Sequence, residues 1–185
     1  MEDSQIIALF LERSEQAIAE LDRKHGAAAR KAAANILGDR QDAEECVNDA
    51  LLGVWNSIPP QRPRSLPAYV CRIARNLAIN RYRANTAQKR NAGYELVLDE
   101  LAECIPSGAD VETELEAREL TEAIDRFLAA LSREDRFLFV RRYWFADPVA
   151  ELAALTGGSP GRVSVRLFRL REKLRKMLTK EGLLV

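Results

Sequence analysis

Between Val163 and Met177 the apolar residues Val163, Leu167, Leu170, Leu174 and Met177 advance by four, three, four and three. No strand buries that set, because strand side chains alternate every two residues. A helix at 3.6 residues per turn gathers it into one seam. One residue earlier Arg162, Arg166, Arg169, Lys173 and Lys176 take the same steps, so a cationic stripe runs beside the seam. Val165 and Phe168 point away from it. A helix that only packs gains nothing from apolar groups there. In a major groove they meet thymine methyls, while guanine offers arginine a pair of acceptors.

Two start signals frame this helix. In "ADPVAELAALTGG" Asp147 is the expected N-cap and Pro148 the first helical residue, with the end at Gly157; "SPGRV" repeats the arrangement with Ser159 and Pro160. A short helix, a glycine turn and a longer helix make a helix-turn-helix, with small Ala153 at the crossing and Val163 facing back into the pair. Upstream, Leu115, Leu120, Ile124, Phe127, Leu128 and Leu131 mark one helix, and Ser132 with Asp135 starts another through Trp144.

Similar spacing runs through the first half. Ile6, Ile7, Leu9, Phe10, Ile18 and Leu21 mark a first helix, and Ala-rich 27–37 a second ending at Gly38. Asp39 caps a third, whose stripe is Ala43, Val47, Ala50, Leu51, Val54 and Trp55 while Asp42, Glu45 and Asp49 share another face. Proline makes "IPPQRPRS" a loop. From Ser65 a fourth helix runs with Leu66, Tyr69, Val70, Ile73 and Leu77 inward. Its other side carries Arg72, Arg75 and Arg83 with Asn76 and Asn80, which stack four residues apart. Asparagine is a poor helix former, and a pair in mid-helix beside cations fits amides for base edges and guanidinium groups for phosphates.

The net charge of zero hides a block pattern. Residues 1–60 hold 6 basic and 11 acidic groups, 61–93 hold 8 and none, 94–135 hold 3 and 13, and 136–180 hold 11 and 3. One basic run is ordinarily a solvated face. Two, each opening at a helix start, fit a polyanion. The expected architecture is therefore all-α: two small helical domains, 1–93 and 112–185, joined by an acidic linker at 94–111, the second domain holding the helix-turn-helix.

Other classes find little support. Cys46, Cys71 and Cys104 are odd in number and widely spaced, so neither a disulfide framework nor a metal site is expected, and the single histidine, His25, receives no role. There is no P-loop and no G-x-S-x-G, so no catalytic residues and no cofactor are expected. No apolar run is long enough to cross a bilayer and the N-terminal stretch lacks a signal-peptide pattern, so the expected location is the cytoplasm without membrane insertion. A stand-alone helix-turn-helix regulator, with residues 1–130 sensing a ligand or dimerising, accounts for the last helix but leaves the first basic block and the Asn pair unexplained.

The order "GDRQDAEECVNDALLGVW", a loop, "AYVCRIARNLAINRYR", an acidic stretch, "LSREDRFLFVRRYW", "VAELAALTG" and "SPGRVSVRLFRLREKLRKML" resembles the extracytoplasmic-function sigma factors of bacterial RNA polymerase, from about residue 20 to 180. The resemblance implies a protein that binds core RNA polymerase and directs initiation at particular promoters. Asp42, Glu45, Asp49 and Trp55 would then dock on the beta-prime coiled coil. Arg62, Arg64, Arg72, Arg75, Asn76, Asn80 and Arg83 would hold the melted minus-ten element. The C-terminal domain would sit on the beta flap and read the minus-thirty-five element through Arg162, Ser164, Val165, Arg166, Phe168 and Arg169, with Arg171 and Lys173 behind them. The resemblance also admits an anti-sigma factor as a partner. The family often has Trp where Tyr69 stands, Thr at Arg162, and a basic residue then Ser at Ser164 and Val165, so promoter preference does not carry over.

Overall fold

A computed structural model describes residues 1–85, 92–105 and 114–184, and among these every regular element is helical. The chain divides into two compact units, Met1–Tyr94 and Glu95–Val185.

The first unit holds α1 (Asp3–Leu11), α2 (Gln16–Leu21), α3 (Ala27–Leu37), α4 (Arg40–Ser57) and α5 (Leu66–Ala84). The apolar set expected to form one helix is split: α1 stops where Arg13 takes a left-handed φ of 56°, and α2 restarts with Ala17 and Leu21 buried. Between α2 and α3 the chain does not stop at Gly26. It runs through a π-helical turn, Asp22–Gly26, where a side chain at Gly26 would collide with Asp22 and Arg30. Those two residues form an ion pair of 2.6 Å across the missing Cβ. His25 is tied to Asp3 at 2.8 Å.

Gly38, at φ 71°, ends α3, and Asp39 accepts the amides of Gln41 and Asp42 at 2.8 and 3.0 Å, as its place ahead of the acidic helix predicts. The α4 stripe is buried as expected through Val54, with Trp55 half-buried at its end. The inward face of α5 differs from the expected one. Leu66, Val70, Cys71, Ala74, Ala78 and Tyr82 are buried, while Tyr69, Ile73 and Leu77 lie half-exposed on the flank. Small Ala29, Ala32 and Ala33 of α3 and Ala74 and Ala78 of α5 are all buried, which admits close backbones and leaves the larger side chains at the edge.

The stretch expected to be a linker is partly a helix: α6 spans Ala92–Ala102, and residues 106–111 lie outside the described residues. Tyr94 packs edge-on against Tyr82 at 5.1 Å within the first unit. Within the second unit Val97 and Cys104 are buried, and burial pushes the Cys104 thiol up to about 11. The acids there suggest a solvated strap, but Val97, Leu101 and Cys104 advance by four and three and share one face, while Leu96 and Leu98 stay exposed.

The rest of the second unit is α7 (Glu114–Ala130), α8 (Arg133–Tyr143), α9 (Val149–Thr156) and α10 (Pro160–Lys180). Phe127 of α7 meets Phe139 of α8 edge-on at 5.3 Å, and Phe139 meets Tyr143 at 4.6 Å. Leu115, expected inward, is 65% exposed in the first turn of α7. Arg136 ties the α7–α8 turn, donating to the carbonyls of Leu128 and Ala129 at 2.7 and 2.9 Å, where a cation also complements the end of the α7 dipole. Asp147 is not the cap of α9. Its carboxylate is fully buried against Arg141, while Arg142 donates to its carbonyl at 3.1 Å.

Candidate nucleic-acid and polymerase interfaces

The helix-turn-helix is built by three local devices. Gly157 at φ 66° closes α9, Ser159 accepts the Arg162 amide at 3.4 Å, and Pro160 starts α10 without an amide to leave unpaired. Ala153 and Val163 are both buried at the crossing. The α10 seam is Val163, Leu167, Leu170, Leu174 and Leu178, rather than ending at Met177, which is half-exposed. A strict seven-residue repeat drifts by ~20° per heptad on a straight helix, and four turns on, the buried position has moved one residue along.

This seam turns the opposite face of α10 outward. Arg162, Ser164, Val165, Phe168 and Arg169 are all exposed, Val165 by 51% and Phe168 by 53%, and Lys173 continues the row. Arg166 is half-exposed, with Nε at 2.5 Å from Asp135 and Nη2 at 3.1 Å from Glu134 of α8. A cleft of about 580 Å³ opens beside it, lined by Arg133, Phe137, Leu155, Thr156, Arg162 and Arg166. The outward row does not include Arg171. Its guanidinium turns into the unit, 2.8 Å from the Tyr143 hydroxyl and 3.4 Å from Glu100, because that position lies toward the seam rather than beyond it.

Glu100 of α6 is the hub of that network, and nothing in its sequence context marks it among neighbouring acids. It takes both Nε and Nη2 of Arg142 at 3.1 and 2.8 Å and the Tyr143 hydroxyl at 3.0 Å. Burial alone would raise its carboxyl, but Arg142, Tyr143 and Arg171 together bring it below the usual glutamate range. Arg142 is 3% exposed.

On α5 the residues Arg72, Asn76, Asn80 and Arg83 advance by four, four and three and are all exposed. Arg72 lies over the Tyr69 ring at 5.3 Å. Arg75 is drawn away from this row: it is half-buried beside Tyr94, and burial lowers its pKa. Arg62 and Arg64 are exposed on the loop ahead of Ser65. Arg81, which the charge count alone did not distinguish, crosses to α4 and holds Asp42 at 3.2 Å and Glu45 at 2.5 Å.

Asp49 is exposed on that acidic face of α4. Trp55 does not join the acids. Its ring meets Phe10 at 6.2 Å and lies under the Arg13 guanidinium at 5.2 Å, and Arg13 donates to its carbonyl at 2.7 Å. At 100° per residue, position 55 falls roughly a third of the way round the helix from the three acids. Among the described residues no group of three His, Cys, Asp or Glu could hold a metal ion, and no helix is long and apolar enough to cross a membrane.

Residues 21–88 match the family model for Sigma-70 region 2, and residues 121–174 that for Sigma-70, region 4. The chain is 27% identical over 166 residues to the ECF RNA polymerase sigma factor SigL of Mycobacterium tuberculosis, in strains Erdman, CDC 1551 and H37Rv alike, covering 86% of this chain and 87% of the relative. A solved structure, that of CnrH in complex with the cytosolic domain of CnrY, aligns over 96% of this chain and 97% of its own at 22% identity, with a TM-score of 0.45. With α4 and α5 inside the first match and α9 with most of α10 inside the second, the chain belongs to the extracytoplasmic-function sigma factors, which bind core RNA polymerase and direct it to particular promoters.

Proposed function

We propose that the two exposed cationic rows divide promoter reading between them: α10 reads the minus-thirty-five element in duplex form, and α5 holds the opened minus-ten element. The observation that carries this reading is the outward row of α10, where Val165 and Phe168 are more than half exposed between Arg162 and Arg169 on a helix whose other side is fully packed. Apolar groups interleaved with guanidinium groups match the methyl and acceptor pattern of a major groove. On α5, Asn76 and Asn80 supply amides for base edges between Arg72 and Arg83, with Arg62 and Arg64 nearby in sequence for the backbone. Lys173 serves phosphate rather than bases. Arg171 and Arg75 act through packing.

The acidic face of α4 is assigned to the polymerase. Asp49 faces the beta-prime coiled coil directly, while Asp42 and Glu45 are presented with Arg81 between them. Trp55 supports this face from behind by fixing α1. The C-terminal unit is assigned to the beta flap, and the family likeness makes an anti-sigma factor a further expected partner. The protein works in the cytoplasm as an initiation factor without a catalytic site of its own. A stand-alone regulator would leave the α5 row without a role.

Reconstitution with core polymerase tests this. Arg169→Ala is expected to relax selectivity at one base pair of the upstream element by about 1–3 kcal/mol. A loss equal across all sequences would assign Arg169 to phosphate instead. Asn80→Ala is expected to slow promoter opening, read by permanganate reactivity of unpaired thymines, far more than it weakens closed-complex binding. Equal defects in both steps would remove α5 from strand capture.

A further inference from the structure

We propose that Asp135, on α8, is a positioning residue for promoter reading: it holds the Arg166 guanidinium with its outer fork, Nη1 and Nη2, presented to a base pair. This rests on the reading of α10 as the helix that enters the upstream element. The carboxylate is itself fixed on both sides. Its Oδ2 accepts the Ser132 hydroxyl at 2.9 Å, Ser132 in turn accepts the Asp135 amide at 3.1 Å as the cap of α8, and Oδ1 accepts Arg166 Nε at 2.5 Å. The bracket is thus anchored in backbone at one end and grips arginine at the other.

A guanidinium presents two forks, one through Nε and Nη2 and one through Nη1 and Nη2. The acids occupy the first: Asp135 takes Nε, and Glu134 takes Nη2 at 3.1 Å. The second meets no acid among the described residues. Glu134 is 79% exposed and adds little to the hold, whereas Asp135 is 26% exposed. A guanidinium fixed in this way meets the paired acceptors of guanine without first giving up side-chain freedom. A mobile arginine one turn into a groove would serve any phosphate equally well. Specificity would then depend on a residue of α8 that touches no base.

The test uses the full chain with core polymerase on a promoter panel in which every base pair of the upstream element is varied singly. Arg166→Ala identifies the base pair that Arg166 reads. Asp135→Asn is expected to lose selectivity at that same pair, by roughly fivefold or more. Output from promoters already mismatched there should hold level or rise, because an anionic charge facing DNA has gone. The double variant should be no less selective than Arg166→Ala, since the two residues act as one unit. Selectivity is a ratio between promoters, so a smaller folded fraction of any variant scales all promoters alike and leaves it unmoved. If Arg166→Ala alters one pair and Asp135→Asn leaves it intact, or if their losses add, the positioning role is overturned while base reading by α10 stands. If Arg166→Ala changes no pair, the positioning role falls and base reading by α10 is left to Arg162, Phe168 and Arg169.

Discussion

Glu100→Gln is expected to lower the unfolding free energy of the unit Glu95–Val185 by about 3 kcal/mol, because removing one partner of a largely buried ion pair strands the other. Arg142 is the stranded group: it is 3% exposed, and its Nε and Nη2 both bond this carboxylate. The Tyr143 hydroxyl and Arg171 lose the carboxylate oxygen they share as well, although Arg171 keeps the Tyr143 oxygen as an acceptor at 2.8 Å. In a unit of this size such a loss corresponds to a drop in Tm of roughly 10 °C or more, readable by circular dichroism or calorimetry. The dependence on pH has a definite sign. The carboxyl of Glu100 is held below the ordinary glutamate value in the folded protein, so its contribution is complete above that ordinary value and is lost as pH falls through the depressed one. The gap between wild type and variant should therefore narrow on acidification. A gap that is small at neutral pH, or that widens toward acid, would show the network to be incidental to stability.

That network also marks where the sequence was readable and where it was not. Periodicity located α3, α4, α5, α7, α8 and α10, because the alternation of three and four steps survives whatever the helix packs against, but it merged α1 with α2 and missed α6. It located α10 well enough to place Val163, Leu167, Leu170 and Leu174 in the core. Capping chemistry is equally local, and Asp39, Ser65, Ser132 and Ser159 all accept the amides that their positions predict. Burial depends on neighbours, and here reading fell short. Tyr69, Ile73 and Leu77 look as apolar as any core set, yet the small alanines of α3 and α5 take the centre. Asp147 sits where a cap should, yet Arg141 draws it inward.

Charge behaved in the same way. Counting blocks found both cationic rows, but it could not tell which cations face out. Arg171, Arg142 and Arg81 belong to those rows by count and to acids by geometry, at sequence separations of 71, 42 and 36 from Glu100 and Glu45. A charge pattern along the chain carries no information about partners that far away. Hence the exposed set is smaller and more regular than the counted one: Arg72, Asn76, Asn80 and Arg83 on α5, and Arg162, Ser164, Val165, Phe168 and Arg169 on α10.

Adjacent positions on α10 should separate packing from recognition. Leu167 is 1% exposed in the seam, and Leu167→Ala is expected to cost about 3 kcal/mol of stability through lost contacts and the cavity left behind. Phe168, the next residue, is 53% exposed and touches its own unit chiefly through Arg171, whose guanidinium lies 5.7 Å from the ring. Phe168→Ala should therefore change stability by only about 0.5 kcal/mol. Its cost should appear with DNA present, as a several-fold loss of upstream-element binding that is strongest where a thymine methyl is expected to meet the ring. The two measurements are thermal unfolding of each variant and, for whatever fraction is folded, transcription from promoters with and without that methyl, using uracil in place of thymine. Equal melting losses for both variants would place Phe168 in the core and leave Val165 as the outward apolar contact that α10 offers a groove. If instead Phe168→Ala melts like wild type and still tolerates uracil and thymine alike, as wild type does, the ring takes no part in reading and recognition falls to the arginines on either side.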